Sequence, residues 1–399
     1  MRRRWLLALP ALALAAGAAG WVSLERRTPW DRCGDPPPAM ATAPQTFLLP
    51  DDIAAIRGAV AAGREPQASA LARLLRDADA ALALAPPSVT RQGDPGPAYI
   101  SELPYCGWTR RDGKEPDCRD GAVNPGADRG DYEAAIAAGD AARDLALAHL
   151  FTGDDRYAAQ AARVVEGWTT DPATGMQPSF GNLQSRIELF ITLPALAYAA
   201  DLLRGWPGWP ADRQAAVHRW FQAIAAEAEG FRHENNFEDW RLVLLGTVAA
   251  LSGDRCRINA TARAVRDLIP RQIDREGFMV KELDRADSLS YSLFALDALV
   301  QLAELGRAWG IDLHGYRTPD GVGLETALDR HAPFAAGTAP WPHGQQAPLT
   351  AADNVSLYEL ATKAYGKPAY RAVVDHWGRP LRSTRVLGPV SLTHAATAP

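Results

Sequence analysis

Three stretches of the chain share one outline: an apolar run at helical spacing, a glycine, then Asp or Pro opening a second helical run. They are "DLALAHLFTGDDRYAAQAARVV" from Asp144, "RLVLLGTVAALSGDRCRINATARAV" from Arg241 and the shorter "LYELATKAYGKPAYRAVV" from Leu357. Glycine stops a helix because it takes the left-handed conformation at little cost, and Asp or Pro suits the start of the next. Each stretch reads as an αα-hairpin, with no strand-like alternation between the central ones. "LPDDIAAIRGAVAAG" and "EPQASALARLLRDADAALAL" add helices nearer the N-terminus. The hairpins recur too irregularly for a strict solenoid. We expect one all-α domain of stacked antiparallel helix pairs, either an (α/α) toroid or an irregular bundle. With 399 residues, 47% of them apolar, the chain can bury such a core. An irregular segment from about Pro86 to Gly130 interrupts the helices, and loops that long inside a compact domain are usually functional.

A formal net charge of −5 excludes a strongly basic protein that grips nucleic acid non-specifically. An acidic substrate would have to meet positive charge concentrated in a cleft. Residues 1–26 begin "MRRRWLLALPALALAAGAAG", three arginines before an Ala/Leu run and small residues, the pattern of an export signal. The run from Trp5 to Leu24 is about long enough to stay as a membrane anchor, whereas Pro10 and the small-residue end favour cleavage. Either fate places the remainder in the periplasm or outside the cell. Residues 27–44 form a Pro-rich linker, and 45–399 the helical domain. In an oxidising compartment Cys33, Cys106, Cys118 and Cys256 are expected to form disulfides, with Cys106 and Cys118 in one loop as the local pair. No Cys or His spacing suggests a metal site.

"HENNFEDW", from His233, puts two asparagines at the mouth of a long apolar run, and "KELDRADSLSYSLFALDAL" repeats the arrangement with Arg285 and Tyr291. Taken with "GDDRYAAQAARVVEGWTTDPATGMQP" and "GIDL", the chain resembles the alginate lyase family of polysaccharide lyases, most strongly over residues 97–333. That resemblance implies an (α/α) toroid or incomplete barrel. It also implies cleavage of a uronic-acid polymer by β-elimination, without a cofactor.

The elimination removes the C5 proton of a uronate and expels O4 while negative charge builds on the carboxylate. It needs donors at that carboxylate, a base for C5–H and an acid for O4. The resemblance implies these roles for Asn236, Arg285 and Tyr291, with Arg285 lowering the phenol's pKa. The family commonly follows the paired asparagines with histidine, where this chain has Phe237, which can neither neutralise nor accept a proton. His233, four residues earlier, is the candidate to replace it. Arg186, at the head of another apolar helix, could hold a carboxylate bidentately, and Asn235 and Trp240 complete the expected substrate-binding set. Local physics offers another reading of each: an N-cap for either asparagine, a core position for Tyr291, a surface ion pair of Arg285 with Asp284 or Asp287.

The expected protein is therefore an exported lyase acting on an anionic polysaccharide, as a monomer. A glycoside hydrolase on the same toroid is the alternative, with Asp239 and Glu282 as its carboxylate pair. A third reading, a carbohydrate-binding envelope protein without activity, draws on Phe237.

Overall fold

The computed structural model describes residues 43–89, 97–109 and 116–396. The export segment, nearly all of the Pro-rich linker and Cys33 lie outside the described residues. Thirteen helices account for most of the described chain. They are α1 (Pro50–Ala61), α2 (Gln67–Leu82), α3 (Gly130–Thr152), α4 (Asp155–Thr169), α5 (Leu183–Leu202), α6 (Ala211–Ala228) and α7 (Asn236–Leu251). There follow α8 (Arg255–Gln272), α9 (Ser288–Ala308), α10 (Leu324–Ala335), α11 (Leu357–Tyr365), α12 (Pro368–Trp377) and α13 (Val390–Thr393).

The glycine breaks behave as their chemistry requires. Gly153 closes α3 at φ 75°, and Asp154 then caps α4 by accepting from the Arg156 backbone N–H at 2.9 Å. Asp254 does the same for α8 through the Arg257 N–H at 3.0 Å. Such a cap contributes about 1 kcal/mol and stops one helix from running into the next.

Burial sorts the helices into two layers. In α5 every residue except Leu183, Gln184 and Arg186 is buried, so this helix is enclosed on all sides. In α8 the buried residues Ile258, Thr261, Ala262, Val265, Leu268 and Ile269 form one face, as on a surface helix. The inner row runs α3, α5, α7, α9, each packed on the next, while α4, α6 and α8 connect them from outside. From α9 the row continues through α11 to the short α13, which packs on α1 and α2, and α2 returns to α3. This is the (α/α) toroid, the first of the two arrangements the hairpins allow and the one the family resemblance implies. Asp201, near the end of α5, holds the segment before α1, accepting from the backbone N–H groups of Gln45 and Thr46 at 2.8 and 2.9 Å.

The irregular segment holds an element the sequence reading missed. Strands β1 (Cys106–Thr109) and β2 (Pro116–Cys118) pair antiparallel with Cys106 opposite Cys118. Those two cysteines are bonded, as their closeness in the chain suggests, and Cys256 is disulfide-bonded as well. Among the described residues no helix is long and apolar enough to cross a membrane.

Candidate active site

The inner helices α3, α5, α7 and α9 all present their N-terminal ends to one cleft of about 580 Å³. Arg129 and Tyr132 come from the start of α3, Leu183 and Gln184 from α5, Asn236 and Phe237 from α7, Ser290 and Tyr291 from α9. The segments around Tyr105 and Asn354 complete the walls. Among the lining side chains three arginines, Arg129, Arg285 and Arg385, face three acids, Glu188, Asp287 and Asp353. Their formal charges cancel. Positive potential is added by the dipoles of the four helix ends, each equivalent to roughly half an elementary charge, although the first N–H groups are already taken by Glu282 and Asn235 at α7 and by Gly344 and Gln345 at α9.

Tyr291 lies in the first turn of α9. Its hydroxyl is 2.5 Å from that of Tyr105, and the Arg285 guanidinium stacks over its ring at 3.5 Å from the centroid. Arg285 does not pair with Asp284. It reaches Asp120, 165 residues away, through Nε and Nη2 at 3.1 and 2.7 Å, and Asp120 also accepts from the Ala286 N–H at 2.7 Å. Gly121 permits this approach: at φ +76°, a Cβ there would lie 2.8 Å from the Ala286 Cβ. Asp287 is engaged otherwise, accepting from the backbone N–H groups of Gln346 and Ala347.

The two asparagines divide the readings offered for them. Asn235 is the N-cap of α7, its side chain accepting from the Phe237 N–H, and it does not line the cleft. Asn236 is 1% exposed and forms part of the cleft floor. Beneath it, Glu282 accepts from its backbone N–H at 3.0 Å and lies 2.9 Å from its Nδ2 through both oxygens.

Three other expected substrate contacts are corrected. Arg186 lies outside the cleft because α5 presents Leu183, Gln184, Ile187, Glu188 and Ile191 there, a spacing that puts Arg186 on the next face. Its guanidinium instead packs over Phe231, 4.0 Å from the ring centroid. Trp240 is fully buried and sits 5.1 Å from Phe294, supporting a cleft residue from behind. His233 packs its ring 5.3 Å from that of Phe237, away from the lining, and burial lowers its pKa, so it is a neutral neighbour rather than a replacement cation.

The pKa of Tyr291 is corrected too. Burial pushes it up, Tyr105 adds to the rise, and Arg285 opposes without prevailing. Arg285 has spent much of its field on Asp120, whose carboxyl it holds below the usual range by hydrogen bonding. The hydrolase pair fares no better. Asp239 is wholly buried against Gln272 Nε2, 2.9 Å away, and Glu282 lies below Asn236, so neither faces a partner across the cleft.

Tyr105, Asp120, Arg129 and Arg385 were not anticipated. Only Tyr105 carried a signal, its place beside Cys106 in the loop. Among the described residues no three His, Cys, Asp or Glu side chains are grouped to hold a metal ion.

A family model described as "Alginate lyase" matches residues 85–341. The chain belongs to the alginate lyase family. It is accordingly a polysaccharide lyase. A search of curated proteins finds no match. Among solved structures, an alginate lyase from Bacteroides ovatus is similar at TM-score 0.74 and 22% identity, over 90% of this chain and 100% of that one. Alginate lyase A1-III from Sphingomonas species A1 is similar at TM-score 0.65 and 17% identity, over 93% and 99%. A histidine-to-alanine variant of A1-III complexed with tetrasaccharide matches at TM-score 0.69 and 18% identity, over 93% and 99%. These likenesses concern the fold.

Proposed function

We propose that this lyase is exported and cleaves mannuronate- or glucuronate-type linkages of a uronic-acid polymer by syn β-elimination. The observation that carries the reading is the meeting of four helix N-termini, Asn236 and the Arg285–Tyr291 pair in one cleft. A uronate carboxylate is drawn to the helix ends and takes hydrogen bonds from Asn236 and Arg285. The Tyr291 phenolate removes the C5 proton, the C4–O4 bond breaks as the C4–C5 double bond forms, and Tyr291 returns the proton to O4. One residue serves both steps only when proton and leaving oxygen share a face of the sugar. Phe237 offers no second acid or base for the opposite geometry, so guluronate linkages should be poor substrates. Export is supported by the N-terminal signal pattern and by the bonded state of Cys106, Cys118 and Cys256.

Because burial raises the Tyr291 pKa, the phenolate grows in as pH rises, and the rate should increase toward alkaline pH. The experiment is a screen of polymannuronate, polyguluronate, glucuronan and glycosaminoglycans, following ultraviolet absorbance of the unsaturated uronate. Absorbance should grow on the mannuronate or glucuronate polymer. Faster cleavage of polyguluronate would overturn the syn assignment, and reducing ends without absorbance would overturn elimination itself.

A further inference from the structure

Glu282 is a buried acid directly beneath the group that meets the substrate carboxylate. It is 1% exposed, on the turn between α8 and α9, and its strongest contacts are the three from Asn236. The surroundings give its negative charge little support. Arg285 Nη1 is 3.9 Å away, but that guanidinium is already held by Asp120. On the α7 side lies Asp239, wholly buried, with Oδ2 unpartnered, and beyond it Glu238, whose charge is taken by Arg241. Burial raises the carboxyl pKa of both Glu282 and Asp239. A bound uronate would bring a further negative charge to the same place.

We propose that Glu282 is the positioning residue of the carboxylate-binding site, working as a neutral acid that turns the NH2 group of Asn236 toward the substrate. An ionised carboxylate only accepts, so it draws the Asn236 NH2 inward, with Nδ2 2.9 Å from both Glu282 oxygens. Protonated Glu282 keeps one oxygen for the Asn236 backbone N–H and donates its O–H to Asn236 Oδ1. The amide then rotates half a turn, exchanging oxygen and nitrogen within the same shape, and both amide N–H groups face the cleft. Substrate binding therefore takes up a proton. The inference rests on the reading of this cleft as a uronate-carboxylate site.

The test uses mannuronate-rich alginate oligomers and the Tyr291→Phe protein, which should bind without turnover. Calorimetry between pH 6 and 9 in two buffers of different ionisation heat should report net proton uptake on binding, growing as the free Glu282 ionises. With Glu282→Gln added, uptake should vanish while binding becomes at least as tight, because glutamine donates to Asn236 permanently. With Glu282→Ala added, affinity should fall at least tenfold. In otherwise wild-type protein, KM should rise with pH above the Glu282 pKa and be flat in Glu282→Gln, while the pH dependence of kcat, which belongs to Tyr291, is common to both. Absence of proton uptake, or a Glu282→Gln protein as weak as Glu282→Ala, overturns the proposal. Uptake without unsaturated product from wild type would instead overturn elimination and leave Glu282 in its role. Should the mannuronate oligomer not bind, glucuronan oligomers take its place in the same titration, and failure of both to bind overturns both readings.

Discussion

At the closing seam, Glu304 on α9 accepts from His314 Nε2 at 3.0 Å and Arg307 Nε at 2.9 Å, and Arg307 continues to Asp52 on α1, which Lys363 of α11 also reaches at 3.1 Å. Under the cleft, Asp120 and Glu282 share one arginine, Arg285, and the buried Asp239 has only the Gln272 amide. Both places bury acids, and burial alone would raise every one of them. At the seam the His314 hydrogen bond, with His394 and Arg307 beside it, reverses this and holds Glu304 well below the usual carboxylate range, while Lys363 and Arg307 lower Asp52. At the site burial wins for Glu282 and Asp239. A cluster with matched charges joins helices from opposite ends of the chain. One with surplus acids is poorly solvated until something else arrives, which is what a binding site requires.

The two clusters should also fail at opposite ends of the pH scale. Depressed acids stabilise the fold above their unfolded pKa of about 4, and that stability is lost as pH falls through the folded value. Raised acids contribute stability below the unfolded pKa, lost as pH rises through the folded one. The largest expected effect is therefore at the seam. Glu304→Ala leaves Arg307 and His314 without their shared buried partner and should cost about 3–5 kcal/mol of stability in denaturant titration. Below the temperature of unfolding, kcat should be unchanged. If stability held and kcat fell, the contrast between the clusters would be wrong.

The next effect is on rate rather than stability. Tyr291→Phe keeps the ring against Arg285 and removes the proton carrier, so kcat should fall at least about a hundredfold with little change in melting temperature. His233→Ala, by contrast, should stay close to wild type, since His233 lies off the cleft lining. A Tyr291→Phe enzyme near full rate beside a dead His233→Ala would reverse the assignment.

How much of this was legible beforehand follows from the range of each interaction. The hairpins could be read because a glycine stop and an Asp cap act over a few residues, as at Gly153 and Asp154. The seam could not, because Asp52 and Lys363 meet across 311 residues with no local pattern to announce them. Asn236, Arg285 and Tyr291 were picked out by family resemblance, but Asp120 escaped because a loop acid looks the same whether or not it clamps an arginine. The Arg186 error was avoidable: Leu183, Ile187 and Ile191 mark the cleft face of α5, and Arg186 is out of phase with them. Trp240 was not, since an aromatic at a helix start reads alike as a sugar platform or as core.

The smallest expected effect probes the link between charge and catalysis. Asp120→Asn keeps an acceptor for the Ala286 N–H but removes the negative charge beside Arg285. Freed of that partner, the guanidinium stacked on Tyr291 should stabilise the phenolate more, since one pKa unit corresponds to about 1.4 kcal/mol. Asp120 is near solvent, so water already screens part of its charge, and a shift of at most about one pH unit is reasonable. The sign is definite: the alkaline rise in kcat should move to lower pH, giving up to about tenfold more activity at a fixed pH below the rise. A pH profile of kcat for the two proteins decides it. If the rise stays in place or moves upward, Asp120 does not restrain Arg285, and the surplus of acid under the cleft serves binding alone.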